Sequence, residues 1–199
     1  MSISAADVKA LRERTGAGMM ECKRALEEAE GNPEKAIEIL RVKGQARAAK
    51  RGEREAAEGV VSHYVHFNGR VGALVEVNCE TDFVARNEEF LEFARQVALH
   101  VASAAPRWVS REDVPGEERE RELAILAQQA DPSKPPEVRE KMTEGRLRKW
   151  LEEVVLLDQQ HVNGDRYEGR TIDQIRSELA SRTGENVVIR RFARFQVGE

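Results

Sequence analysis

Val60-Val61-Ser62-His63-Tyr64-Val65-His66-Phe67, then Asn68-Gly69, then Arg70-Val71-Gly72-Ala73-Leu74-Val75-Glu76-Val77 is the stretch on which the fold turns. β-Branched and aromatic residues fill both runs. An Asn-Gly pair between such runs marks a β-hairpin, because both turn residues tolerate positive φ. The second run continues as strand to Cys79. Tyr64 and Leu74 stand in the register opposite to Val65 and Val75, so both faces of the hairpin carry apolar groups and one has no obvious cover. Near the far end, Asn186 to Val197 predicts a third strand. Its Val187, Val188, Ile189, Phe192, Phe195 and Val197 do not alternate strictly, which requires a bulge or burial on two sides. The expected core is a small three-stranded antiparallel sheet with helices on one face, an α+β arrangement.

Working outward from the hairpin, Thr81-Asp82-Phe83-Val84-Ala85-Arg86-Asn87 sets one large apolar ring among polar groups, on a connection where function is commonly displayed. Two readings of Phe83 are open. It could tuck under the next helix against Phe90 or Leu91, or it could be an anchor for a partner's pocket, flanked by Asp82 as an acceptor. Asn87 caps a helix whose Phe90, Leu91, Phe93, Ala94, Val97, Ala98 and Val101 form a wide apolar stripe, and Pro106 ends it. Further helices are expected around Glu117 to Ala130, Pro136 to Thr143 and Gly145 to Glu153, with Asp131-Pro132-Ser133-Lys134-Pro135-Pro136 as a break. Trp108 and Trp150 read as buried or interfacial anchors. Leu156 to Val162 is irregular or short β, and Thr171 begins a helix through Ile172, Ile175 and Leu179.

On the other side of the hairpin, residues 5 to 43 read as three short helices. Ser4 caps the first, with Val8 and Leu11 on one face, and Thr15-Gly16-Ala17-Gly18 breaks it. Met19, Met20, Cys22, Ala25, Leu26 and Ala29 carry the second, which stops at Gly31. Asn32-Pro33 caps and opens the third, whose Ala36, Ile37 and Leu40 lead to a stop at Gly44. From Gln45 to Glu58 alanine and charge predominate without a large apolar residue, the pattern of a solvated linker helix, and Gly59 ends it. The expected domains are 1–45 (a three-helix docking unit), 46–58 (linker helix) and 59–199 (core).

The 199 residues carry a net charge of -4 within a 34% charged composition, and this modest balance argues against a nucleic-acid binder. Arg41, Lys43, Arg47, Lys50, Arg51 and Arg54 form the densest basic cluster, interleaved with alanines as on a solvated helix face. No stretch approaches the roughly 20 apolar residues that span a bilayer, and Met1-Ser2-Ile3-Ser4 leads straight into charged sequence. A cytoplasmic protein without membrane attachment is expected. Cys22 and Cys79 have no metal-like spacing and read as reduced thiols. His63 and His66 lie on opposite faces of a strand, and no further ligands accompany them, so no metal site is expected. His63, His66, His100 and His161 sit in separate or opposite-facing settings. Thr15-Gly16-Ala17-Gly18 lacks the lysine and strand of a phosphate loop. Neither an enzyme nor a cofactor is expected.

Leu11-Arg12-Glu13-Arg14-Thr15-Gly16-Ala17-Gly18-Met19-Met20-Glu21-Cys22-Lys23-Arg24-Ala25-Leu26, taken with Thr81 to Asn87, closely resembles bacterial elongation factor Ts. The resemblance continues through Glu144-Gly145-Arg146-Leu147, Gly184-Glu185-Asn186 and Arg190-Arg191-Phe192, and so covers most of the chain. It implies a guanine-nucleotide exchange factor for the translational GTPase elongation factor Tu, engaged in its GDP-bound and nucleotide-free forms. Thr81, Asp82, Phe83 and Val84 match the family segment that wedges beside the magnesium site and displaces the ion, with Phe83 as the wedge and Asp82 fixing the loop. Arg86 and Asn87 would shape the turn and the helix start. Arg12, Met19, Met20 and Lys23 match the residues that dock on the nucleotide-binding domain; for the two methionines, packing within the helix is the alternative. The sequence has one sheet-forming unit, as do short members of the family, which implies a homodimer. After Ala105 it follows the later repeat of long members, so contacts made there by the intervening segment do not transfer. Residues 5 to 43 also resemble ubiquitin-associated (UBA-like) domains. A simple helical binding module is the rival reading, but it leaves Thr81 to Asn87 without a purpose.

Overall fold

The computed structural model describes residues 3–15, 17–131 and 133–199, and for 45–49 the backbone alone. Gly16 and Pro132, which fall in two of the expected breaks, lie outside the described residues, as does the Arg47 side chain of the basic cluster. In chain order the elements are α1 (Ala5–Thr15), α2 (Met19–Glu28), α3 (Pro33–Gly52), β1 (Glu58–Val65), β2 (Val71–Cys79), α4 (Asp82–Ala85), α5 (Glu88–Ala104), α6 (Gly116–Gln128), α7 (Pro136–Val154), α8 (Gly164–Tyr167), α9 (Ile172–Thr183) and β3 (Val188–Gln196). Single 3₁₀ turns stand at Arg111–Asp113 and Leu156–Asp158. The class is α+β, as expected.

The strands form one antiparallel sheet in the order β1-β2-β3. The hairpin is present, but its turn is not the two-residue type. The Gly69 N–H donates to the His66 carbonyl at 2.8 Å and the His66 N–H to Val71 at 2.8 Å, closing a four-residue loop in which Gly69 alone has positive φ (+67°). The Asn68 side chain accepts the Arg70 N–H at 3.0 Å. An Asx turn thereby replaces the left-handed asparagine backbone that the sequence suggested. The expected bulge is in β3. Pairing passes from Glu76↔Arg191 to Val77↔Ile189 and leaves Arg190 as the extra residue, which is why the apolar pattern of this strand slips.

Strand alternation divides β2 cleanly. Ala73, Val75, Val77 and Cys79 are buried, while Leu74 on the other face is exposed. The buried face is covered by α5, whose Phe90, Phe93, Ala94, Val97, Ala98 and Val101 are all buried. Asn87 caps that helix by accepting the Glu89 N–H at 2.8 Å, and Ala105, in a left-handed conformation, ends it ahead of Pro106.

In the N-terminal unit, Val8, Leu11, Cys22, Ala25, Leu26, Ala29 and Ala36 form a small core across α1 to α3, the expected UBA-like arrangement. Ser4 Oγ accepts the Asp7 N–H at 3.2 Å, and Asn32 Oδ1 accepts those of Glu34 (3.0 Å) and Lys35 (3.1 Å), so both predicted caps are in place. Two helix boundaries differ from expectation. α3 runs unbroken through Gly44 to Gly52, absorbing the first part of the expected linker helix, while residues 53–57 are irregular and Gly59 lies inside β1. α7 likewise runs through Gly145 as one helix. The reason is the same in both. An isolated glycine costs a helix only about 1 kcal/mol relative to alanine, and strong helix formers on either side outweigh it.

Trp108 and Trp150 are half-buried with ring centroids 5.9 Å apart, and they pack on Val114, Leu151 and Val155. Among the described residues no helix is long and apolar enough to cross a membrane. The chain divides into two compact units, one running to Glu55 and joined by Ala180–Asn186, the other comprising Ala56–Leu179 and Val187–Glu199.

Candidate functional site

β2 delivers the chain from the sheet directly into Thr81. That residue is extended (φ -128°, ψ 156°), and its hydroxyl accepts the Val84 N–H at 3.4 Å, capping α4. The Thr81 carbonyl accepts the Ala85 N–H at 3.1 Å, and the Asp82 carbonyl accepts that of Arg86 at 3.1 Å. The turn is thus a single helical coil, closed at its end when the Asn87 N–H reaches the Val84 carbonyl at 2.9 Å. Ala85 is its buried root, and the coil as a whole lies against β1 and β2. A second tie, the Asp82–Arg86 ion pair at 3.1 Å, spans the coil on its solvent side. Exposed pairs of this kind contribute little to stability.

Helical geometry then decides where Phe83 points. With Ala85 turned inward, residue 83 faces out, and its side chain is 82% exposed. Phe90, by contrast, is fully buried beneath α5. The packing reading of Phe83 is therefore not met, since a ring so exposed is not a staple on the following helix. Thr81, Asp82, Phe83 and Val84 are brought together in one turn, with Asp82 and Val84 half-buried beside the exposed ring.

The second candidate group lies in the N-terminal unit. Met19, Met20 and Lys23 share one face of α2 by their i,i+3 and i,i+4 spacing, and Met19 and Met20 are 47% and 59% exposed. Cys22, Ala25 and Leu26 alone supply the buried face of that helix. Helix packing therefore does not account for the two methionines. Lys23 stands 3.9 Å from Glu27, and Arg12 is exposed on α1.

One expectation about the histidines is overturned. His100 and His161, far apart in sequence, have ring centroids 5.4 Å apart because the segment after α7 folds back over α5. His100 Nδ1 accepts the Val162 N–H at 3.2 Å, which places the proton on Nε2, where it is donated to Gln159 Oε1 at 2.9 Å. His161 repeats the pattern, accepting from the Asn163 N–H at 3.0 Å and donating to the Gln96 carbonyl at 3.3 Å. Burial holds both imidazoles neutral, lowering His100 to about 4 and His161 below its ordinary value. With every ring nitrogen occupied, the pair is a structural clasp and offers no free base. Among the described residues no cluster of three or more histidine, cysteine or acidic side chains could hold a metal.

The open face of the sheet is the remaining feature. Val61, Val65, Leu74 and Phe195 are exposed there, around a Glu76–Arg191 ion pair at 2.6 Å. The Arg191 hydrogen bond holds the Glu76 carboxyl below the usual carboxylate range.

Residues 5–169 match the sequence profile of the family described as Elongation factor TS. A relative named Elongation factor Ts from Carboxydothermus hydrogenoformans is 56% identical over 193 residues, 96% of this chain and 88% of its own. The protein of the same name from Thermosipho melanesiensis is 52% identical over 198 residues, covering 99% of this chain and all of its own. A third, from Thermodesulfovibrio yellowstonii, is 48% identical over the full 199 residues and 98% of its own length.

Proposed function

The chain belongs to the elongation factor Ts family, and from that premise we propose that it is the guanine-nucleotide exchange factor of elongation factor Tu and performs no bond chemistry of its own. The observation that carries this reading is Phe83, a large ring held 82% exposed on a rooted turn at the end of a strand. An aromatic group left in water has no folding role that offsets its exposure, whereas as an anchor in a partner it is worth roughly 2 kcal/mol or more.

In this mechanism Phe83 enters beside the magnesium site of the GTPase while Asp82 and Thr81 hold the turn in shape. The factor then binds the state with distorted metal and phosphate contacts more tightly than the GDP-filled state, which shifts the population toward nucleotide loss. Linkage makes the effect reciprocal. Whatever factor is taken off nucleotide affinity is taken equally off the factor's own affinity when nucleotide rebinds, so the cycle runs in either direction. Arg12, Met19, Met20 and Lys23 supply docking surface on the nucleotide-binding domain, the methionines adapting their shape to the partner and the cations setting register. The same reading makes the protein cytoplasmic, with no membrane or direct nucleic-acid partner.

A homodimer completes the proposal. The open sheet face exposes Val61, Val65, Leu74 and Phe195, and a second copy stacked across a two-fold axis covers such a surface with its own equivalent.

Stopped-flow release of a fluorescent GDP analogue from the GDP-loaded GTPase tests the central claim. The wild type accelerates release, and Phe83→Ala lowers the maximal rate by about tenfold or more with an unchanged melting temperature. Equal maximal rates for the two proteins would remove Phe83 from this role.

A further inference from the structure

A helical coil of four residues has no stability of its own, because nucleation is unfavourable and one or two hydrogen bonds do not offset it. Something outside α4 must hold it, and the Thr81 carbonyl is where the ties converge. That oxygen accepts the Ala85 N–H at 3.1 Å and also lies 3.2 Å from Cys79 Sγ. Cys79 is completely buried on the inner face of β2, in register with Glu58 of β1. Its thiol proton has the Thr81 carbonyl as acceptor. The thiol therefore links the last residue of β2 to the first carbonyl of the turn that displays Phe83.

We propose that Cys79 is a positioning residue for exchange, its buried S–H holding the Thr81 carbonyl so that α4 presents Phe83 in one orientation. The proposal deepens the exchange reading and rests on it. A thiol is a weak donor and also a small apolar group, so packing and hydrogen bonding must be separated. Valine fills the volume without a donor, serine keeps a donor in a smaller volume, and alanine supplies neither. Misplacement of a reacting group by about 1 Å can cost on the order of a hundredfold in rate, and loosening the root of a one-turn helix acts through the same lever.

The experiment measures fluorescent GDP release against factor concentration for wild type, Cys79→Val, Cys79→Ser and Cys79→Ala, with amide exchange at Val84 and Ala85 followed in the factor alone. The expected result for Cys79→Val and Cys79→Ala is a maximal release rate reduced by about tenfold with the half-saturating concentration unchanged, while Cys79→Ser recovers most of the rate. Exchange at the Val84 and Ala85 amides should quicken in the valine variant and return toward wild type in the serine variant. Equal behaviour of valine and serine, a loss confined to half-saturation, or unchanged amide exchange in the valine variant would each overturn the proposal. If the wild type itself fails to accelerate release, the exchange reading falls, and amide exchange in the free factor still decides whether Cys79 holds the turn.

Discussion

Gly59 occupies a place where no side chain fits. Its φ is +152°, and a Cβ built on it would lie 2.2 Å from the Val77 carbonyl oxygen and 2.8 Å from the Asn78 Cα, both backbone atoms that cannot swing aside. Gly59→Ala is expected to destabilise the protein by about 2 to 3 kcal/mol, from strain at a disfavoured φ together with overpacking, as measured by urea unfolding. In the sequence this glycine reads as a helix stop, because nothing nearby distinguishes that role from close approach to a neighbouring strand. Met20 is a similar case. Its spacing suits either the buried stripe of α2 or an exposed one, and its exposure decides. Met20→Ala should leave the maximal GDP release rate unchanged and raise the half-saturating concentration by about fivefold, read in the same stopped-flow titration. Phe83 was legible as a ring in an unusual place, and the role proposed for it came from the resemblance; outward display depended on Ala85 being the root, which spacing alone does not fix.

At the level of elements, the sequence marks starts better than stops. Ser4, Asn32 and Asn87 cap the helices they were expected to cap, since a cap is a local hydrogen bond written in a residue or two. Gly44 and Gly145 were read as boundaries and are interior to α3 and α7, since the balance between one glycine and its helical neighbours is a sum over a whole segment. Pairing of His100 with His161 was invisible for a different reason: it depends on the path of the chain after α7. This clasp has a pH signature. Both groups titrate below their ordinary value in the folded protein, His100 at about 4, so the unfolded chain takes up protons first as pH falls. Stability is intact above pH 6.5 and declines as acidity moves from there toward pH 4, by roughly 3 kcal/mol for His100 on full titration. Urea unfolding across that range should show the loss, and a His100→Gln variant should show a shallower slope.

For the molecule as a whole, apolar groups on both faces of the hairpin were foreseen, because alternation assigns every residue of a strand to a side; the pairing of the strands was not, since Leu74 shares the open face with Val65 while Tyr64 lies on the side of Val75. The second copy proposed for that face gives a direct prediction. Leu74→Lys places a charge at the centre of the surface and should weaken self-association by about a hundredfold or more, since an unpaired charge resists desolvation; sedimentation across a concentration series measures it. The order of the sheet has a further consequence for the birth of the protein. The middle strand, β2, finds its second neighbour only in β3, and more than half of the chain separates Cys79 from Val188. While a ribosome is still making that intervening stretch, β2 is a raw edge with unpaired amides and carbonyls, open to any other extended chain in the vicinity. Long-range closure of this kind is slow. Crowded polysomes, where many unfinished copies lie side by side, are the setting in which nascent chains of this fold most need a chaperone's cover.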